Sequence, residues 1–392
     1  MRIWFVSPVP SGERRLARLA PLARILRADA MAALPAWLAA RVITLAALEL
    51  ARFLSTHLQV ADPAIAQRAH EGLLSWDAAW YRDIAIHGYR ALPQDALRFF
   101  PLLPFVVRAL RFLFAGNAGV TLLAVTNVAA LVLGMLIHRL ALWETGDEGL
   151  ARRATWLVAI APPAFVLVMG YSEGLFMTFA VGMFLALRSK HWLWACALGI
   201  LAGMTRPVGI LLVVPAVVEA ARGIRQVPWR GLVTRALAVA GPALGCGSFL
   251  LWAQVAYGDG MLPIHIQQQV RLRGPLLDPF RAVLHESKGI VNGQHIGSGL
   301  HVPWVIGLAV LAVVCLRRWP LSYGLFVIPV LIAAASSSNL DSFERYGLSA
   351  FPLILAGAAL TASGRVERVV LTVSAAAMGG YAVLAFLNAS VP

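Results

Sequence analysis

Short polar segments cut this chain of 392 residues into apolar runs near 33–55, 119–141, 154–170, 172–188, 191–205, 206–221, 232–257, 302–317, 320–337, 347–363 and 367–388. About 20 apolar residues in a row form a helix long enough to cross a bilayer core. Inside lipid the backbone must satisfy its own hydrogen bonds, so such runs have few options besides helix. Mean hydropathy is +0.75. Charged residues make up 13% of the chain, about half of what soluble domains carry. A soluble globule is excluded. The pattern predicts an all-α, polytopic integral membrane helical bundle of about 11 transmembrane helices.

The formal net charge is +14, and Lys190 and Lys288 are the only lysines, so arginine carries the charge. A basic soluble protein would suggest nucleic acid, but here the arginines sit in short loops between apolar runs, where they set orientation. The N-terminus, 151-ARR-153, 188-RSK-190, Arg222 to Arg235, 317-RR-318 and Arg365/Arg368 share one side if eleven runs cross and 99-FFPLLPFVVRALRFLFAG-116 does not. Arg108 and Arg111 favour an interfacial helix there, since an arginine at mid-membrane costs at least ~2.5 kcal/mol.

Residues 1–32 then read as a cytoplasmic basic N-terminus, with Leu16, Leu19, Leu22 and Leu26 forming one stripe of an amphipathic helix over 12–29. Residues 33–388 read as a single transmembrane catalytic domain with outer loops 56–118 and 258–301, the first of them containing interfacial helices. Cys196, Cys246 and Cys315 lie inside apolar runs at no metal-ligand spacing. The Arg-rich, Lys-poor usage is that of a GC-rich bacterial genome, which places the chain in a bacterial cell (inner) membrane.

This topology gathers the conspicuous polar residues on the extracytoplasmic face: both long loops and the turns 170-GYSE-173, 205-TRP-207 and 338-SNLDSFERY-346. The segment 75-SWDAAWYRDIAIHGYR-90 combines aspartates, arginines, a histidine and four aromatic rings. Asp77 and Asp83 stand about 240° apart on a helix, so they cannot serve one atom as a pair. Asp77 either caps the helix that follows or acts in chemistry. Asp83 either meets substrate or pairs with Arg82 or His87. Trp76 and Trp80 are one turn apart and suit a membrane-interface belt, a sugar platform or a lipid path equally well. Glu173, Arg206 and Arg345 are charges at or inside the membrane boundary, where a role or a mutual ion pair is the default. Planar guanidinium forks suit a lipid phosphate. The loop 258–301 carries several His, Gln and Arg residues but no HExxH and no close His/Asp ligand set, so a divalent cation is unsupported.

The run 76-WDAAWYRDIAIHGY-89 followed by 99-FFPLLP-104 resembles the signature of the PIG-V family, and 171-YSEGLF-176, 205-TRPVG-209 and 344-ERYGLSAFP-352 look like its later blocks. The resemblance spans roughly residues 70–352. It implies a GT-C-type glycosyltransferase that takes a sugar, usually mannose, from a polyprenyl-phosphate-mannose donor to a lipid or glycan acceptor. The acidic residue of the first outer loop, here Asp77, would be the base. Arg206 and Arg345 would hold the donor phosphate. Trp76, Trp80, Tyr81, Asp83, Glu173 and Tyr346 are the candidates for substrate contact. One carboxylate with separated arginines suits inverting sugar transfer better than the paired carboxylates of hydrolysis. Two other readings are a GT-C enzyme using another polyprenyl-linked sugar and a lipid-linked sugar transporter. A transporter should carry ionisable groups near mid-bilayer within repeated halves, and no repeat is visible here.

Overall fold

The computed structural model describes residues 11–57, 63–270, 272–292, 301–338 and 340–389. All regular secondary structure among them is helical. The first half comprises α1 (Ser11–His57), α2 (Pro63–Glu71), α3 (Asp77–His87), α4 (Leu102–Leu110), α5 (Ala118–Thr145), α6 (Glu148–Ile160), α7 (Glu173–Arg188), α8 (Trp192–Thr205) and α9 (Val213–Ala221). The second comprises α10 (Trp229–Tyr257), α11 (Leu262–Gln267), α12 (Pro279–Val291), α13 (Val302–Arg318), α14 (Leu321–Ala335), α15 (Phe343–Ser349), α16 (Pro352–Leu360) and α17 (Gly364–Phe386).

Each predicted run is helical, but the runs differ in kind. Ala23–His57 of α1, together with α5, α10 and α17, are long and apolar enough to cross a membrane. Others are broken where proline, which lacks an N–H and fixes φ, starts a new turn instead of continuing the old one. The run 154–170 divides into α6 and a 3₁₀ turn at Pro162–Leu167. The run 206–221 begins with a 3₁₀ turn at Pro207–Leu212 before α9. The run 347–363 is shared between α15 and α16, which starts at Pro352. The basic segment 12–29 and the apolar run that starts near 33 belong to one continuous helix, α1.

A broken helix in lipid frees carbonyls that need donors. Arg41 of α1 supplies one, from Nη2 to Leu167 O at 3.2 Å, and Asn127 of α5 another, from Nδ2 to Val168 O at 3.0 Å. Arg41 Nε also donates to Asn127 Oδ1 at 2.8 Å, locking the two together. In the segment 99–116, Arg108 of α4 donates to Ala85 O at 2.8 Å and to Ile86 O at 3.2 Å, capping the carbonyl end of α3. Phe105, Phe112 and Leu113 face outward from the same segment.

α8 and α10 approach each other closely, through Gly199 and Gly203 on one helix and Gly241 and Gly245 on the other. A Cβ on Gly203 would overlap Pro242 O, and one on Gly245 would overlap Ile200 O. Small residues four apart on facing helices are how membrane helices gain contact without a hydrophobic driving force. At the end of the bundle away from Glu173, Arg188 of α7 forks onto Glu144 of α5 at 2.7 and 3.1 Å and reaches Glu219 of α9 at 3.3 Å. Ser322 and Tyr323 of α14 donate to the same two carboxylates at 2.5 and 2.9 Å. Four helices are therefore tied at one end, and the other end is left to form a cavity.

Candidate active site

α3 begins at Asp77, and the residue before it, Trp76, takes φ 58° and ψ −128°. A side-chain-bearing residue held there costs about 1–3 kcal/mol, a strain that the surroundings must impose. Trp76, not Asp77, occupies the cap position, and it makes no side-chain cap bond. The carboxylate of Asp77 is aimed elsewhere: its Oδ2 accepts from Arg345 Nη1 at 2.7 Å. Arg345 sits on α15, whose entry residue Ser342 is also left-handed, at φ 61°.

Glu173 is the first residue of α7 and is 1% exposed. Arg206 follows α8 in an extended conformation (φ −153°, ψ 148°), which Pro207 behind it favours. That geometry turns its guanidinium back onto Glu173, with Nη1 against Oε1. Arg345 Nε lies 3.5 Å from the same oxygen. The result is a chain of alternating charges, Asp77–Arg345–Glu173–Arg206, assembled from four separate stretches of sequence.

These groups border a cavity of about 340 Å³ at this end of the bundle. Asp77, Tyr81, Arg206, Arg345 and Tyr346 line it, and Glu173 stands behind the arginines. Tyr81 donates to Ser172 Oγ at 2.7 Å and packs edge-on against Phe99. Burial pushes its hydroxyl up from the ordinary tyrosine range, which keeps it a neutral donor. The ring of Tyr346 has the guanidinium carbons of Arg206, Arg273 and Arg345 at 5.5, 4.4 and 5.5 Å from its centre. Cations so placed are attracted by the ring quadrupole, and the ring fans three of them around one opening.

Three expected substrate contacts lie outside the cavity wall. Trp76 donates from Nε1 to Ala385 O at 3.0 Å, with Arg68 stacked on its ring at 4.1 Å, so it anchors the loop to α17. Trp80 stacks on Phe99 at 5.8 Å, behind the lining. Asp83 pairs with Arg82 at 2.9 Å, one of the two outcomes that its spacing allowed. Conversely, Arg98, Arg273, Gln267 and Gln268 line the cavity, and no sequence pattern marked them as a site. They arrive because α11 packs against the turn Gln94–Arg98, a contact between two loops that no periodicity announces. Arg271 and His295 of the second outer loop lie outside the described residues. Among the described residues, no group of three or more His, Cys, Asp or Glu side chains could hold a metal ion.

The profile of the mannosyltransferase (PIG-V) family matches residues 17–220. No curated protein matches the chain. Among solved structures, the chain is similar to an archaeal oligosaccharyltransferase, AglB from Archaeoglobus fulgidus, in complex with an inhibitory peptide and a dolichol-phosphate. Identity is 12% and the TM-score 0.38, over 88% of this chain and 55% of that one. The chain thus spans about half the length of that protein. The family match takes in more than half of the chain and contains Asp77, Glu173 and Arg206, so the chain belongs to the mannosyltransferase (PIG-V) family.

Proposed function

We propose that this protein transfers mannose, with inversion, from a polyprenyl-phosphate-mannose donor to a hydroxyl of a lipid or glycan acceptor. The single observation that carries the reading is the cavity wall, where one carboxylate, Asp77, faces a set of arginines. In the proposed step Asp77 takes the proton of the acceptor hydroxyl. The acceptor oxygen forms a bond to the anomeric carbon from the side opposite the phosphate. The bond from that carbon to the phosphate oxygen breaks, and its electron pair stays on the phosphate. Arg206 and Arg345 orient the phosphate through their guanidinium forks. Arg345 also holds Asp77, so base and phosphate site are set by one side chain. Tyr81, Tyr346 and Glu173 shape the site, the last by fixing both arginines.

The proposed working face is extracytoplasmic, in a bacterial inner membrane, with residues 1–32 cytoplasmic and residues 33–388 forming one catalytic domain. Support comes from the arginine-bearing loops, which the positive-inside rule assigns to the opposite side. A lipid-linked sugar transporter is the poorer reading, because the charged chain sits at one end of the bundle and not between two repeated halves. The test is to incubate membranes containing the protein with radiolabelled polyprenyl-phosphate mannose and extract the product. Label should pass into a lipid or glycan fraction in step with the amount of protein. No transfer from this donor, beside transfer from polyprenyl-linked arabinofuranose or glucose, would reassign the sugar. No transfer from any of them would overturn the reading.

A further inference from the structure

The four cavity arginines differ in how their charge is met. Arg206 and Arg345 lie against Glu173 and Asp77. Arg273 donates from Nη2 to Ala334 O at 2.6 Å and Ser337 Oγ at 2.9 Å, and Arg98 donates from Nε to Asp95 O at 3.2 Å. These partners are neutral oxygens, and among the described residues neither arginine has an Asp or Glu side chain within ion-pair distance. Arg273 Nε is buried and makes no hydrogen bond. The membrane-side pair is thus neutralised, and the loop-borne pair supplies the excess positive charge of the cavity.

The position of Arg273 is built. Ser338 Oγ donates to Arg273 O at 3.1 Å, and Gly274 (φ 73°) lies so close to Ser338 that a Cβ would overlap its hydroxyl. Glycine is required there both by the left-handed backbone and by the space. The loop is held against the end of α14, with the guanidinium 4.4 Å from the Tyr346 ring.

We infer that Arg98 and Arg273 contact the leaving phosphate and stabilise the charge it gains as the sugar departs. The inference rests on the donor reading above and goes beyond it. A polyprenyl-phosphate sugar is a phosphodiester with one negative charge. When the bond to the anomeric carbon breaks, the electron pair remains on the phosphate, which becomes a monoester of about −1.5 to −2 at neutral pH. Only interactions that strengthen as this charge develops accelerate the step. Arg206 and Arg345 already share their charge with carboxylates, so they orient the diester. Two guanidiniums whose partners among the described residues are neutral oxygens meet the second charge.

The experiment measures two quantities on purified protein in lipid nanodiscs. The first is transfer kinetics: Arg98→Ala and Arg273→Ala should each lower kcat by about 10–100-fold while donor KM stays within about threefold. The second is binding of decaprenyl phosphate, a product mimic with no sugar, at pH 5.5 and 7.5. Wild-type protein should bind it more tightly at pH 7.5, because the probe gains its second charge near pH 6. Both Ala variants should lose that tightening, and Arg273→Lys should keep most of it, since here charge matters more than fork geometry. Retention by the Lys variant separates loss of charge from loss of fold. Ala variants that bind decaprenyl phosphate as wild type does at both pH values overturn the inference and leave the donor reading standing. Wild-type protein that does not bind it at all overturns both.

Discussion

Arg345 donates from Nη1 to Asp77 Oδ2 at 2.7 Å, joining two residues 268 positions apart across the cavity wall. One guanidinium therefore fixes the direction of the proposed base. Asp77→Asn keeps an oxygen for Arg345 but cannot take a proton. It should lower kcat by about 10²–10⁴-fold with near-normal expression. Asp83→Asn, in its surface pair with Arg82, should keep substantial activity. Both variants measured in one transfer assay decide the point, and an active Asp77→Asn removes the residue from the chemistry.

Glu173 is buried against two arginines, and removing one partner of a buried ionic group costs about 3–5 kcal/mol because the other charge is left behind. Glu173→Gln should lower the thermal unfolding temperature markedly. The double variant Glu173→Gln/Arg206→Gln should be less destabilised than the sum of the two single changes. A double-mutant cycle on detergent-solubilised protein reads this coupling, and strict additivity would show that the pair does not interact.

Much of this site could be read from the chain alone, and the failures share one cause. Glu173, Arg206 and Arg345 stand out because a charge in an apolar stretch is rare and needs a reason. The anchoring of Trp76 was not legible because its partner, Ala385 O, is 309 positions away, and aromatic spacing within α3 says nothing about α17. Arg98 and Arg273 were passed over because ordinary loop composition gives no sign of two loops docking. Run length located the helices, since it follows from bilayer thickness. Where a run breaks depended on whether Arg41 and Asn127 could serve the carbonyls released, which is tertiary information.

The glycine seam between α8 and α10 is testable with a control on the same helix. Gly245→Val places side-chain atoms where Ile200 O lies and should cost about 1–3 kcal/mol or more, read as a lower unfolding temperature. Gly247→Val, two residues on, meets nothing within 4 Å and should be tolerated. Equal effects would mean that helix propensity, not packing, governs the change.

His301, at the entry to α13, should make this end of the protein sensitive to alkali. Burial alone would lower its pKa, but the hydrogen bond from Nδ1 to Glu344 at 2.6 Å and the nearby Asp341 and Glu286 carboxylates outweigh it and raise the value above the ordinary 6.5. A histidine raised on folding stabilises the fold fully below its unfolded pKa and loses that contribution as pH rises through the folded value. Unfolding temperatures should therefore fall as pH is raised above about 6.5 and through that higher value. His301→Asn should flatten this profile, and a variant with the same slope as the parent would assign the loss to other groups.

Sidedness can be read by cysteine labelling. Ala91, exposed after α3, should react as Cys with an impermeant maleimide on intact cells, whereas Thr145→Cys at the end of α5 should react only after lysis. The reverse pattern would invert the proposed orientation.

The charge chain Asp77–Arg345–Glu173–Arg206 also has an order along the sequence. Glu173, the member that water cannot serve once buried, has its partner Arg206 within one helical hairpin of sequence. Asp77, which keeps about a third of its side chain exposed, has its partner, Arg345, 268 positions further on. The most deeply buried carboxylate of the four thus has its partner close by in sequence, and the cavity wall is complete only once Arg345 and Tyr346, near the C-terminal end, are in place.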